Sequence, residues 1–132
     1  MSCGPIEMYT TNYSDTLITV SADCPVAGGT TPEKPGTIAA VQHALLAAPY
    51  AMTSDDLLYE THRGRGGEKS REDFFATPQA CLRASPLVKQ FGWGIHHDAE
   101  GHIALVDPRS DSYRRLLTDA SVKKTPGMRS KR

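Results

Sequence analysis

The chain has 132 residues, 39% of them hydrophobic and 23% charged. That length suits one hydrophobic core rather than two, and that composition excludes an intrinsically disordered chain. The net charge of zero conceals a split. Residues 1–60 carry seven acids against one base, a net −6, and residues 61–132 carry fourteen bases against eight acids, a net +6. Such a split fits an anionic partner for the C-terminal half or two halves of one domain attracting each other, and the second reading is given the greater weight.

Residues 1–12 read as a loose arm, without the basic and apolar regions of an export signal. Tyr13 to Val20, rich in β-branched residues, predicts the first strand. A loop dense in Pro and Gly follows. Thr37 then opens a helix with Ile38, Val41, Leu45 and Ala48 as its buried stripe, ended by Pro49. This apolar-rich stretch is too short and too interrupted to span a membrane.

The segment 53–63 supports two readings. Thr53 with Asp56 three residues on suits a capped helix. The alternation of Leu57, Tyr59 and Thr61 suits a strand after one capped turn, and that reading is given the greater weight. Arg63 to Gly67 is a turn, and Ser70 caps a short helix over Arg71 to Ala76, with Phe74 and Phe75 buried. Ala80 to Ala84 predicts a short strand, and Ser85-Pro86 starts a helix that ends before Gly92.

Trp93 to His97 and His102 to Val106 are the strands of a hairpin, joined by a turn with Asp98 first and Gly101 fourth. That turn pairs His97 with Ile103, His96 with Ala104 and Ile95 with Leu105. Ser110 caps a last helix through Leu117, burying Tyr113, Leu116 and Leu117, and an edge strand near Val122 precedes the tail. Together these elements predict an α+β fold with a mostly antiparallel sheet, a hairpin at 93–106 and about four short helices packed on it. The single domain covers 13–122, with a flexible arm at 1–12 and a basic tail at 123–132.

The run from Cys81 to Val106, CLRASPLVKQFGWGIHHDAEGHIALV, is distinctive. With TTNYSDT at Thr10–Thr16, TSDD at Thr53–Asp56 and MRSKR at Met128–Arg132, it resembles a family of small bacterial proteins known as a domain of unknown function. The resemblance runs from Met8 to the end of the chain and implies no activity. The chain departs from the family's pattern in its residues before Met8 and in Pro35-Gly36, which interrupts the start of what is a longer helix in relatives.

Two constellations carry chemistry. Period-two alternation gathers His96, Asp98 and His102 on the outer face of the hairpin, where two imidazoles and a carboxylate suit a zinc ion or a general base with its orienting acid. His97, on the apolar face, is expected to be a core histidine with its hydrogen bonds satisfied. The second constellation is an anion site at the Ser85 helix start. Arg83 shares a strand face with Ser85, Leu87 and Val88 offer first-turn N–H groups, and Lys89 lies a turn further on.

Three cysteines, Cys3, Cys24 and Cys81, show no C-x-x-C pair and no metal-type spacing, so reduced thiols in a cytoplasmic setting are expected. Cys81 reads as a buried structural residue rather than a nucleophile. The tail and the short RGRGG run at 63–67 lack any motif for specific nucleic-acid readout. The resulting expectation is a small binding module for an anionic metabolite or partner. The alternative is a metal-assisted or hydrolytic enzyme using the hairpin cluster. No cofactor other than zinc is suggested, and oligomerisation is left open.

Overall fold

The computed structural model describes residues 10–130. Residues 1–9 of the expected arm, with Cys3, and Lys131 and Arg132 of the tail lie outside the described residues. Thr16–Thr19 forms β1, Gly94–His97 β2, Ile103–Val106 β3 and Lys123–Pro126 β4, in one sheet of order β3-β2-β1-β4. β2 pairs antiparallel with both β1 and β3. The pairing of β1 with β4 is parallel, so the sheet is mixed. β4 lies in the segment read from sequence as a tail. β1, from the acidic half, sits between β2 and β4 from the basic half, which makes the halves one α+β domain.

Both faces of β1 are covered. Ile18 joins Ile95, Ile103, Leu57, Leu82, Leu87 and Val88 in the larger core, while Leu17 packs with Val106, Tyr113 and Val122 on the opposite face. Such two-sided burial explains why β1 is a short continuous apolar run rather than an alternating one. The hairpin register is the expected one: His97 pairs with Ile103, His96 with Ala104 and Ile95 with Leu105. Asp98 fixes the turn, because its Oδ1 accepts the N–H groups of both Glu100 and His102 at 2.9 Å. Gly101 completes it at φ +85°, a left-handed conformation that suits glycine.

Among the described residues five α-helices and one 3₁₀ turn accompany the sheet: α1 (Ile38–Leu45), α2 (Ser54–Gly64), α3 (Arg71–Phe75), the 3₁₀ turn Leu82–Ala84, α4 (Pro86–Lys89) and α5 (Asp111–Thr118). Three expectations need correction. In α1 the buried stripe is Ala39, Gln42 and Leu46, whereas Ile38 is 41% exposed. The helix stops at Leu45, so Ala48 lies beyond it, and a buried glutamine is tolerated because the Ser85 hydroxyl donates to its Oε1 at 2.6 Å.

Residues 54–64 are helix, not strand. Thr53 and Asp56 form a reciprocal capping box, and the buried face is Ser54, Leu57 and Thr61. Two of those three are hydroxyl residues, and Thr61 satisfies its own by donating to the Leu57 carbonyl at 2.6 Å. The helical period was therefore hidden in polar side chains. Residues 82–84 are a 3₁₀ turn closed by Ala84 N–H to the Cys81 carbonyl and Ser85 N–H to the Leu82 carbonyl, so no strand face carries Cys81, Arg83 and Ser85.

The remaining helices follow their caps: Ser70, Ser85 and Ser110 each accept a first-turn N–H. Phe75 and Tyr113 are buried, as expected, but Leu117 is 42% exposed and Phe74 only half-buried. Phe74 packs instead against His62 and Tyr59 of α2, at ring distances of 4.9 and 5.8 Å, and Arg71 reaches Asp56 at 2.9 Å. No helix among the described residues is long and apolar enough to cross a membrane.

Candidate functional site

The Ser85 helix start is built for packing. Ser85 is 4% exposed, its hydroxyl accepts the Leu87 N–H and donates to Gln42, and Leu87 and Val88 are fully buried. α4 is a single turn, so its macrodipole is small. Lys89 is half-buried in its last turn. Arg83 points elsewhere: its Nε donates to the Pro126 carbonyl at 2.6 Å, and its own carbonyl accepts the Met128 N–H. With Arg129, Ala22 and Met128 it lines a separate cleft of about 410 Å³. Arg83 and Ser85 thus do not converge on one point. They tie the C-terminal strand and α1 into the fold.

The hairpin residues divide as well. Asp98, Glu100 and His102 bring one ligand atom each to within 4.8 Å of one another, with His102 Nδ1 3.9 Å from Asp98 Oδ1. Although desolvation opposes it, the N–H groups of His102 and Glu100 hold the Asp98 carboxyl below its ordinary pKa. His96 is turned to Tyr50, whose hydroxyl lies 2.7 Å from its Nδ1. Glu100 thus stands where His96 was expected. His97 is indeed in the core, at 0% exposure, but among the described residues neither ring nitrogen has a partner in hydrogen-bond geometry. Its ring stands edge-on to Tyr13 at 5.3 Å, and the Tyr13 hydroxyl donates to Cys81 Sγ at 3.3 Å.

A third region has the strongest character of a ligand site. Exposed Ile38, at the start of α1, is a shared wall of three adjoining hollows of about 350, 230 and 200 Å³. The largest has an apolar floor of Pro32, Ala39, Pro86 and Phe91, with Lys34 and Arg65 at its rim. Among the described residues no carboxylate lines any of the three. Arg65, which lines the hollow, is held by its Nε, which donates to the Gly36 carbonyl at 3.1 Å. Among the described residues neither Lys34 nor Arg65 forms an ion pair.

The Thr37 hydroxyl caps the Ala40 N–H. The N–H groups of Ile38 and Ala39 find no protein acceptor among the described residues, and no acid occupies the first turn. Free first-turn donors and two cations around an apolar floor favour an anion with an apolar body. The sequence contained the signals, Thr37 as a cap with Lys34 before it, but Arg65 comes from the end of α2, and only the fold brings it there.

In comparison with known proteins, the model of a family of unknown function, DUF6157, matches residues 8–132. No curated protein and no solved structure matches. The chain belongs to that family, as its motifs suggested.

Proposed function

We propose, for this member of a family without an assigned activity, that it is a small binding module for an anionic metabolite, seated in the hollow at the start of α1. The observation that carries this reading is the convergence of Lys34, Arg65 and the open first turn of α1 on one acid-free apolar cavity. The carboxylate or phosphate head would lie on Arg65 and the Ile38 and Ala39 N–H groups, with its apolar body against Pro86 and Phe91. Ser85 supports the site from beneath, because its bond to Gln42 sets α4 against α1. Unpaired Cys24 and Cys81 agree with a bacterial cytoplasmic setting. Specific nucleic-acid readout has no instrument in this reading.

The test is a titration of phenylacetate, hexanoate and inorganic phosphate, followed by amide resonances. Saturable shifts are expected at residues 37–41 and 91, and Arg65→Ala should weaken the carboxylates about tenfold, the worth of one charge-assisted pair. Hexylamine should not bind. Shifts that are absent, or identical in the variant, would end this reading.

The second reading, a metal-assisted or hydrolytic enzyme, has one observation in its favour, the cluster of Asp98, Glu100 and His102. It ranks lower because Asp98 Oδ1 is committed to the turn. Zinc titration should broaden no His102 imidazole signal. Saturable zinc binding that is lost in His102→Ala would reverse this ranking.

A further inference from the structure

The opposite face of the sheet carries a hollow that the anion site does not use. It has a volume of about 330 Å³ and is lined by Tyr50, His96, Ser112, Arg115, Leu116 and Asp119. β2 supplies His96, which projects on the α5 side of the sheet between its strand neighbours Leu17 and Ala104. The loop after α1 supplies Tyr50, whose N–H donates to the Ile103 carbonyl at 2.8 Å and whose hydroxyl meets His96 Nδ1. To reach that position Tyr50 takes φ +58°, a left-handed conformation in which a bulky side chain is an outlier. Such strain persists where surrounding contacts hold it, and it concentrates at ligand sites.

α5 supplies the charges. Arg115 and Asp119 stand four residues apart, about one helical turn, on the side of the hollow. Asp119 is the extended residue that ends α5, and it forms no ion pair with Arg115. Arg115 makes only a 3.4 Å contact to Ser112 Oγ, while Asp119 directs Oδ1 to the Ser121 N–H and hydroxyl and has the Lys124 ammonium, which donates to its backbone carbonyl, nearby. Burial lowers the His96 pKa, and the carboxylates of Asp98, Asp15 and Asp119 oppose it. The imidazole is therefore neutral at pH 7 and surrounded on one side by negative charge.

We propose that this hollow binds a small zwitterion with an α-amino-acid head group, its carboxylate on Arg115 and its ammonium between Asp119 and His96. A ligand with one charge of each sign meets both exposed side chains at once. A simple anion would meet Asp119, and a simple cation would meet Arg115. Leu116 offers apolar surface for a short aliphatic side chain, and the volume suits a single amino acid rather than a peptide.

L-leucine, N-acetyl-L-leucine and L-leucinamide separate the contributions, since the second lacks the ammonium and the third the carboxylate. Titrations followed by amide and imidazole resonances should show saturable shifts at Tyr50, His96, Ser112 and Asp119 with L-leucine. Each analogue should bind about tenfold more weakly, and Asp119→Asn and Arg115→Gln should each cost L-leucine about tenfold. Both substituted residues are exposed, so the variants are expected to keep the wild-type fold. An absence of saturable shifts with L-leucine, equal binding of either analogue, or unchanged affinity in Asp119→Asn would overturn the proposal. These shifts are distinct from those at residues 37–41, so failure here leaves the anion site untouched.

Discussion

Asp55→Ala is expected to destabilise the protein by about 3 kcal/mol, which lowers the melting temperature by roughly 10 °C. Asp55 lies in the first turn of α2 and binds the segment that runs into β1. Its Oδ2 accepts the Thr10 hydroxyl at 2.7 Å, and its Oδ1 accepts the Thr11 N–H at 2.7 Å and hydroxyl at 2.8 Å. Its own N–H donates to Asn12 Oδ1 at 2.9 Å. Alanine removes three bonds to a charged acceptor and leaves the N–H of buried Thr11 without a partner. It also removes a negative charge from a helix N-terminus. Asp55→Asn keeps one carbonyl acceptor and should lose about half as much. Denaturant unfolding checks both; an alanine variant within about 0.5 kcal/mol of wild type would show that the clasp contributes nothing.

That clasp gives two of the recognised motifs a physical meaning. TTNYSDT and TSDD meet at Thr11, Ser54 and Asp55, and the Arg83 of CLRASPL binds the strand and loop leading into MRSKR. The motifs that identify the family hold distant segments together.

The fold was legible where local chemistry decides it. Asp98 and Gly101 specified the hairpin register, and Ser70, Ser85 and Ser110 specified helix starts, because turns and caps depend on a few adjacent residues. The fold was illegible where tertiary partners decide. Gln42 is buried through Ser85, 43 residues away, so no apolar pattern reports it. Ser54 and Thr61 are buried on α2, so its apolar period looked like alternation. β4 carries Lys123 and Lys124, both exposed, and pairs with β1 by backbone alone, which left it looking like a basic tail.

The sites divide in the same way. Asp98 and His102 come together as their turn requires. His96 left them for Tyr50, a residue 46 positions earlier whose conformation no pattern announces. The arrangement read at Ser85, a helix start beside an arginine, recurs at α1 with Arg65. Ser85-Pro86 was the more conspicuous start, yet its four-residue helix has spent its donors internally, whereas α1 keeps two of them open.

His97→Leu is expected to remove about 3 kcal/mol of acid sensitivity between pH 6.5 and 4. Burial lowers the imidazole pKa to about 4, with weaker opposition from the backbone of Ile95 and Thr16 and from Asp98, while His96 adds to the lowering. The unfolded chain binds its proton near pH 6.5 and the native chain only near 4, so in that window the unfolded state holds the extra proton. Stability attributable to His97 is therefore full above pH 6.5, falls as pH drops through the window, and levels off below about 4. Leucine is close in volume and titrates nothing, so the difference between wild-type and variant unfolding free energies should fall along that profile. Groups that do not interact with His97 contribute equally to both proteins and cancel, and the couplings to His96 and Asp98 are smaller than the effect of burial. At pH 7 the variant should be the more stable by about 1–3 kcal/mol, because it no longer buries an imidazole whose approaches to the Ile95 and Thr16 backbone fall outside hydrogen-bond geometry. A difference that stays flat from pH 7 to pH 4 would mean that His97 finds a partner in solution and does not carry the acid sensitivity.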